Sequence, residues 1–471
     1  MSTPNTHYGP RLVGMLSSVD AVYFIGIGGI SMSSLAMLTL RRGLRVAGYD
    51  RTRSEVTGRL EAAGIPVFDQ PDASHLDGFG AVVYTVAISE DHPEYVEAQK
   101  RGLPLISRAD YLGYLMLTYR HRIGIAGSHG KSTVTCMCAQ IFMSANADPT
   151  VMSGAPMRSM GGAFRLGGQE SMVFEACEYK DSFLDFNPSV SVILNCELDH
   201  VDYFKSMNQI RASFAAFADR AGEEGCVIYN ADDAETLLSM RTVSPRRVTF
   251  GITDQTSDYR AQNIQLLGGY ASFDLWHRDR PMGRVTLRVP GEHNVYNALA
   301  AAAAAHECGI CSRDIIRGLE DFEGAVRRME YKGKMNGAVV FDDYGHHPTE
   351  VRATLREARL LGEGRLICAF QPHTYSRTAT LFDDYVEALR VADEIVIAPI
   401  YAARETDDCG VSATKLAAAV NAKAGKDVAL GCEDMALVAD ALCRLARPGD
   451  TVIVMGAGNI DSVYVGLPLE K

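Results

Sequence analysis

Short apolar runs recur along the chain. Each closes on glycine or polar residues and leads into a stretch with apolar positions at helical spacing, an alternation that predicts parallel α/β sheets. Three blocks repeat it. The first opens with "AVYFIGIGGISMSSLAML", a strand, a glycine turn and a helix, with further strands at "RVAGYD", "AVVYTV" and "LPLIS". The second opens with "RHRIGIAGSHGKSTVTCM" at residues 120–137, carries strands at "MVFEA" and "SVSVILN", and ends in a predicted β-meander from about 247 to 290. The third begins near 327, with strands "AVVFDDY", "RLICAF", "EIVIAPI" and "TVIVMGAG". The 471 residues suit about three domains, and the blocks predict them at 1–115, 116–326 and 327–471, the first and last Rossmann-like. Glu175, Asn195, Asp342, Asp343 and Gln371 fall at the C-terminal ends of predicted parallel strands, the edge on which open α/β sheets bind ligands.

Composition narrows the function class. Hydrophobic residues make up 47% and charged residues 22%, so the chain has ample core. A net charge of −12 argues against a nucleic-acid-binding surface. No charged-then-apolar leader opens the sequence, and its most uniform apolar run, "ALAAAAAA" at 298–305, is far too short to span a bilayer. Eleven cysteines, an odd number, many inside apolar strands and helices, predict reduced thiols and a cytoplasmic protein. "CGIC" at Cys308 and Cys311 lacks a second pair at zinc spacing and reads as the end of a helix; Trp276 falls in a strand-like stretch.

The chemistry gathers at the turns. In "GSHGKST", Gly127 and Gly130 let backbone N–H groups turn inward, and the following helix offers its positive end to phosphate. Lys131 is placed to reach a nucleotide's terminal phosphates, with the Ser132 or Thr133 hydroxyl facing Mg²⁺. Ile125 stands where the strict motif has glycine, so the loop, Gly127 through Ser128, His129, Gly130, Lys131, Ser132 and Thr133, is a variant one, and it makes the central domain a P-loop ATPase-type α/β domain. "FEACEYKDSF" supplies Glu175 and Glu178, and "LNCELDHVDYF" supplies Asn195, Glu197, Asp199, His200 and Asp202. On strands beside a phosphate loop these groups suit a hard cation, although either cluster alone reads as capping and surface charge. Asn294 and Asn297 share a helical face, suited to a base or sugar or to helix capping. Arg327 and Arg328 suit a phosphate clamp or an interdomain ion pair. His346, His347, His373 and Arg377 suit a carboxylate or amine, or a solvated loop. "GIGGISMSS", with Gly26, Gly28 and Gly29, is a loose fingerprint for a pyrophosphate at a helix start.

Taken in order, "GSHGKST", "EACEYKDSF", "NCELDHVDYF", "EHNVYNALAA", "RRME", "DDYGHHPTEV", "FQPHTYSRT" and "MGAGNI" resemble the Mur ligases, the ATP-dependent amide-forming enzymes of peptidoglycan synthesis. The resemblance spans about Val22 to Gly458, and "DDYGHHPTEV" with "FQPH" points to the member that adds L-alanine to UDP-N-acetylmuramate. It implies a UDP-substrate-binding first domain using Gly28, Gly29, Ser31, Met32 and Asp50, and ATP at the central loop with Mg²⁺ at Ser132, Glu175 and His200. It further implies a catalytic set of Lys131, Glu175, His200, Asn294, Asn297, Arg328 and Asp343, and a C-terminal amino-acid pocket near His346, His373 and Arg377. The partners implied are these small molecules, with no nucleic acid or membrane, for a monomer or homodimer. The sequence departs from the family pattern at Ser128 and Ser132, commonly threonine, at Thr374, commonly arginine, and at Cys177, commonly acidic. The runner-up within the family is the recycling ligase that attaches a ready-made tripeptide to UDP-N-acetylmuramate. Outside it stand a catalytically silent binding protein and a nicotinamide-dependent dehydrogenase, the latter resting on the first glycine turn alone.

Overall fold

The computed structural model describes residues 8–85, 88–200, 203–403, 405–406 and 410–470. Val86 of the predicted strand "AVVYTV", Asp202 and Cys409 lie outside them. By compactness the chain divides into two units, one of residues 1–131, 146–154 and 160–249, the other of residues 132–145, 155–159 and 250–471. The first division falls within a single helix, between Lys131 and Ser132.

The first unit carries a five-stranded sheet of β1 (Ala21–Ile25), β2 (Arg45–Tyr49), β3 (Val67–Phe68), β4 (Ala81–Tyr84) and β5 (Leu105–Ser107), in the order 3-2-1-4-5 with every pairing parallel. β1 is buried along its whole length, which is why it reads as a continuous apolar run rather than an alternating one. The order reverses between β1 and β4, and the turn after β1 therefore opens at a topological switch point.

The same unit holds β6 (His121–Ala126), the start of β7 (Thr150–Met157), β8 (Gly162–Arg165), β9 (Ser171–Glu175), β10 (Val190–Ile193), β11 (Cys226–Asn230) and most of β12 (Arg246–Gly251), in the order 12-11-10-6-9-7-8. β6 lies between β9 and β10, parallel to both, with Ile125 opposite Glu175 and Ala126 opposite Ile193. That register alone brings the loop after β6 level with the residues that follow β9 and β10. Apolar residues from both blocks of this unit form one core, among them Phe24, Tyr111, Phe174, Phe183, Phe214 and Phe217.

The second unit begins where the last residues of β12 pair with β13 (Tyr259–Leu267), followed by β14 (Tyr270–His277) and β15 (Arg280–Pro290). The meander is narrower than the sequence suggests, because β12 runs parallel to β13 and only β13–β15 are antiparallel. Trp276 lies in β14 as expected. The helix His293–Glu307 follows, with every residue from Ala298 to Ala305 fully buried, and Cys308 forms its C-cap. The described cysteines are all free.

A six-stranded sheet completes the unit: β16 (Glu330–Met335), β17 (Ala338–Asp343), β18 (Leu366–Phe370), β19 (Glu394–Ile397), β20 (Ala429–Gly431) and β21 (Thr451–Met455), in the order 16-17-21-18-19-20. It is parallel except for the β16–β17 hairpin. Asp343 and Phe370 both lie opposite Met455, so the loops after β17 and β18 flank the turn after β21. Among the described residues no helix is long and apolar enough to cross a membrane.

Candidate active site

The loop after β6 is held open by its neighbours rather than by its own backbone. Gly127 has φ +150°, and a Cβ there would stand 2.9 Å from that of Leu194. The Asn195 side chain accepts the His129 N–H at 2.8 Å and donates to the His129 carbonyl at 3.1 Å. Ser128 Oγ donates to the Glu197 carbonyl at 3.0 Å and accepts the Glu197 N–H at 2.8 Å. The serine hydroxyl at a place where threonine is common is therefore fully used. Lys131 begins the helix Lys131–Ser144, and its Nζ donates to the carbonyls of Gly127 at 2.5 Å and Ser128 at 3.1 Å. Ser132, in the same first turn, is buried.

Lys131 also meets Glu178. The Nζ is 3.1 Å from a carboxylate that is 0% exposed, and His200 Nε2 stands 3.7 Å from the same group. Burial draws the Lys131 ammonium down, but Glu178, with Cys177 and Glu175 behind it, outweighs that and holds it above the ordinary lysine range. The sequence places Glu178 among groups suited to a hard cation or to surface charge; the fold seals it instead against the loop lysine. Glu175 closes β9 directly opposite Ile125, and its Oε2 accepts the Gly154 N–H at 2.7 Å. His200 is left-handed, with φ +51°, and its N–H is held by Asp199 Oδ1 at 2.6 Å. Together Lys131, Glu175, Glu178 and His200 present one cation, two carboxylates and an imidazole within the first unit, a set able to hold a phosphate chain and a hard cation.

The turn after β1 is built as the fingerprint suggests. Gly26 is left-handed, and the Gly28 N–H donates to Asp50 Oδ2 at 2.8 Å, where a Cβ on Gly28 would collide with the same carboxylate. Asp50 Oδ1 accepts the Thr52 N–H at 3.0 Å, so both oxygens order backbone. Gly29 is the N-cap of the helix Ile30–Arg41, and Met32 buries its side chain in the core. Arg108, which sequence reasoning passes over, donates from Nη1 to Ser31 Oγ at 3.0 Å. Burial lowers its pKa, and Asp185 partly counters this. Nothing local in "SRAD" announces that contact.

The second unit collects the remaining candidates. Asn294 and Asn297 are both buried; Asn297 Nδ2 donates to Asn294 Oδ1 at 2.9 Å and Asn294 Nδ2 to the Pro290 carbonyl at 2.6 Å, so the pair braces the helix entrance rather than capping it. Arg327 does form an ion pair, but within the third block rather than between domains. It donates to the carbonyls of Gly456 at 2.6 Å and Gly458 at 3.3 Å and lies 3.5 Å from Asp342, whose carboxyl burial pushes up to about 6 against the pull of Arg327. Arg328, like Arg327, lies over the Tyr344 ring, at 5.1 Å, and keeps a buried Nε without a hydrogen-bond partner among the described residues. Asp343, raised by burial and eased by Arg328, accepts the N–H groups of Met329 at 2.9 Å and Gly345 at 2.8 Å, tying the arginine segment to the loop after β17.

That loop carries His346, whose ring lies 5.6 Å from His373 at the end of β18, and His373 stacks on Tyr401 at 5.5 Å. Tyr385 donates to the His346 carbonyl at 2.7 Å. His347 caps the helix Pro348–Ala358, and Arg377 lies in the short helix Tyr375–Thr380 just beyond His373. The two histidines separated by a whole strand and helix in sequence thus meet across one sheet edge.

Three family models match the chain in succession: the Mur ligase family catalytic domain over residues 21–120, the Mur ligase middle domain over 125–305, and the Mur ligase glutamate ligase domain over 327–458. The chain is 40% identical over 447 residues to the UDP-N-acetylmuramate--L-alanine ligase of Caldicellulosiruptor bescii, covering 94% of this chain and 97% of the relative. The crystal structure of the UDP-N-acetylmuramate-alanine ligase of Thermotoga maritima matches with a TM-score of 0.74 at 26% identity, over 94% of this chain and 97% of its own. A murein peptide ligase of Psychrobacter arcticus shares the fold, with a TM-score of 0.67 at 24% identity over 94% and 97% of the two chains.

Proposed function

Because the chain belongs to the Mur ligase family, we propose that it joins L-alanine to UDP-N-acetylmuramate, driven by ATP, as the first amino-acid addition in building a peptidoglycan precursor. The observation that carries this reading is the full-length likeness to a ligase of that name. The recycling ligase is the weaker reading, since its relative shares the fold at lower identity.

A carboxylate is a poor acyl donor, and the chemistry must first make it a good one. Transfer of the ATP γ-phosphoryl group to the carboxylate of the sugar nucleotide breaks the bond to ADP and forms an acyl phosphate. The alanine nitrogen then attacks the acyl carbon, and phosphate leaves with the C–O bonding pair. In our reading Lys131 holds the β- and γ-phosphates and stabilises charge on the transferring oxygens, which is where such enzymes gain most of their rate. Glu175 and Ser132 would offer the oxygen donors that suit Mg²⁺, with the His200 imidazole as the softer member of the proposed set. When bound, that cation neutralises charge along the phosphate chain. The backbone turn at Gly28, Gly29 and Ser31, with Arg108, takes the pyrophosphate of the sugar nucleotide. Asn294 and Asn297 serve the ATP side, Asp343 holds Arg328 in place, and His346, His373 and Arg377 form the amino-acid pocket. Residues 1–115, 116–326 and 327–471 are assigned to sugar nucleotide, ATP and amino acid respectively, in a cytoplasmic enzyme.

Phosphate release from ATP tests this, with UDP-N-acetylmuramate present and L-alanine, glycine, L-serine or L-Ala-γ-D-Glu-meso-diaminopimelate added in turn. We expect release to require the sugar nucleotide and to be fastest with L-alanine. Fastest release with the tripeptide would move the assignment to the recycling ligase.

A further inference from the structure

Two residues after Glu178 the chain enters an unusual conformation. Lys180 and Asp181 have φ/ψ of 55°/32° and 56°/21°, consecutive non-glycine residues in the left-handed region. Each costs of the order of 1 kcal/mol, so the pair persists only where surrounding contacts hold it. The turn closes through the Asp181 N–H to the Glu178 carbonyl at 2.9 Å and Ser182 Oγ to the Cys177 carbonyl at 3.0 Å. The Asp181 carboxylate is taken up by two hydroxyls. Tyr203 donates to Oδ2 at 2.5 Å, and Ser213, on the helix Met207–Asp219, donates to Oδ1.

Tyr203 is the anchor of the other critical turn. His200 is itself left-handed, and its carbonyl accepts the Tyr203 N–H at 2.8 Å. The ring of Tyr179, next to Glu178, lies 4.8 Å from the His200 ring and 6.4 Å from that of Tyr203. One carboxylate therefore joins the turn behind Glu178 to the turn behind His200, and both to a packed helix.

We infer that Asp181 is a positioning residue of the ligation reaction, holding Glu178 and His200 against Lys131 by bridging the left-handed turn after Glu178 to Tyr203, which bonds the left-handed His200. The inference rests on the proposed role of Lys131 and His200 at the nucleotide. Asparagine at 181 keeps one acceptor and can donate to the other hydroxyl, so it preserves most of the bridge; alanine removes it.

The test uses the full chain with Asp181→Ala, Asp181→Asn, His200→Ala and the double variant Asp181→Ala/His200→Ala, reading kcat, each KM and the melting temperature. Asp181→Ala should lower kcat by about 10- to 100-fold with the KM for the sugar nucleotide within about twofold. Asp181→Asn should recover more than about half of the lost rate on a logarithmic scale, and the double variant should be no slower than His200→Ala by more than about twofold. Additive losses, or Asp181→Ala within about threefold of the parent while His200→Ala is inactive, would overturn the inference and leave the site assignment standing. Full turnover by His200→Ala would overturn the site assignment and the inference with it. If Asp181→Ala does not fold, Tyr203→Phe replaces it: a loss of about 3- to 10-fold that is non-additive with His200→Ala supports the bridge, and an additive loss or none overturns it.

Discussion

Lys131 and Glu178 depend on each other in a way that shapes how either can be tested. The glutamate is wholly buried, and removing the lysine leaves its charge facing the His200 ring without the ammonium. We expect Lys131→Ala to lose ligation by at least about a thousandfold and also to lose of the order of 3 kcal/mol of stability, because an uncompensated buried charge is costly. Adding Glu178→Gln should restore much of the melting temperature and none of the turnover. Near-normal turnover by the well-folded double variant would remove the lysine from the phosphate-binding role. At this scale the sequence discloses residue types and their neighbours on the chain. It names the loop lysine, Glu175 and His200 because each follows an apolar strand, yet leaves Arg327 open between two roles. Its observed partners within the third block, the carbonyls of Gly456 and Gly458, lie far along the chain, and no local pattern links them to it.

At the level of elements, strands set the distances. β7 runs beside β9, with Met152 opposite Phe174, and brings Gly154 so close to Glu175 that a Cβ would stand 2.5 Å from the carboxylate. Gly154→Ala should displace Glu175 and lower kcat by about tenfold or more while the melting temperature falls only a few degrees; unchanged kinetics would show that Glu175 is free to relocate. A second contact joins the start of the helix His293–Glu307 to the helix Pro348–Ala358 through His293 and Glu357. Loss of water around the ring lowers the histidine pKa, but Glu357 outweighs this and raises it overall. A raised imidazole stabilises the folded state fully below its unfolded value of about 6.5, and that contribution fades as pH climbs through the folded one. The melting-temperature deficit of Glu357→Gln should thus be largest below about pH 6.5 and shrink as pH rises above it. An equal deficit at both ends would mean that packing, not charge, joins the helices. Strand and helix positions were readable because burial on both faces of a parallel sheet leaves unbroken apolar runs. The left-handed turn at Lys180 and Asp181 was not, since it is imposed by hydroxyls on Tyr203 and Ser213.

Over the whole molecule, three sheets follow the three blocks of the sequence, and the glycine-rich turns sit where strand order or pairing places ligands. Compactness, by contrast, gathers the residues into two units and splits one helix between them, a division that apolar periodicity has no means of signalling. The helix His293–Glu307 shows what such burial demands. Its alanines approach a neighbouring helix closely enough for Cys138 Sγ to lie 3.9 Å from the Ala301 carbonyl. A methyl group has no rotamers to freeze and no length to fold aside, so spacing there is set by the backbones themselves. Any larger residue would have to push the backbones apart. The segment that looks least informative in the sequence, a plain run of alanine, is thus among the least free to vary, with glycine and serine as its narrow allowance.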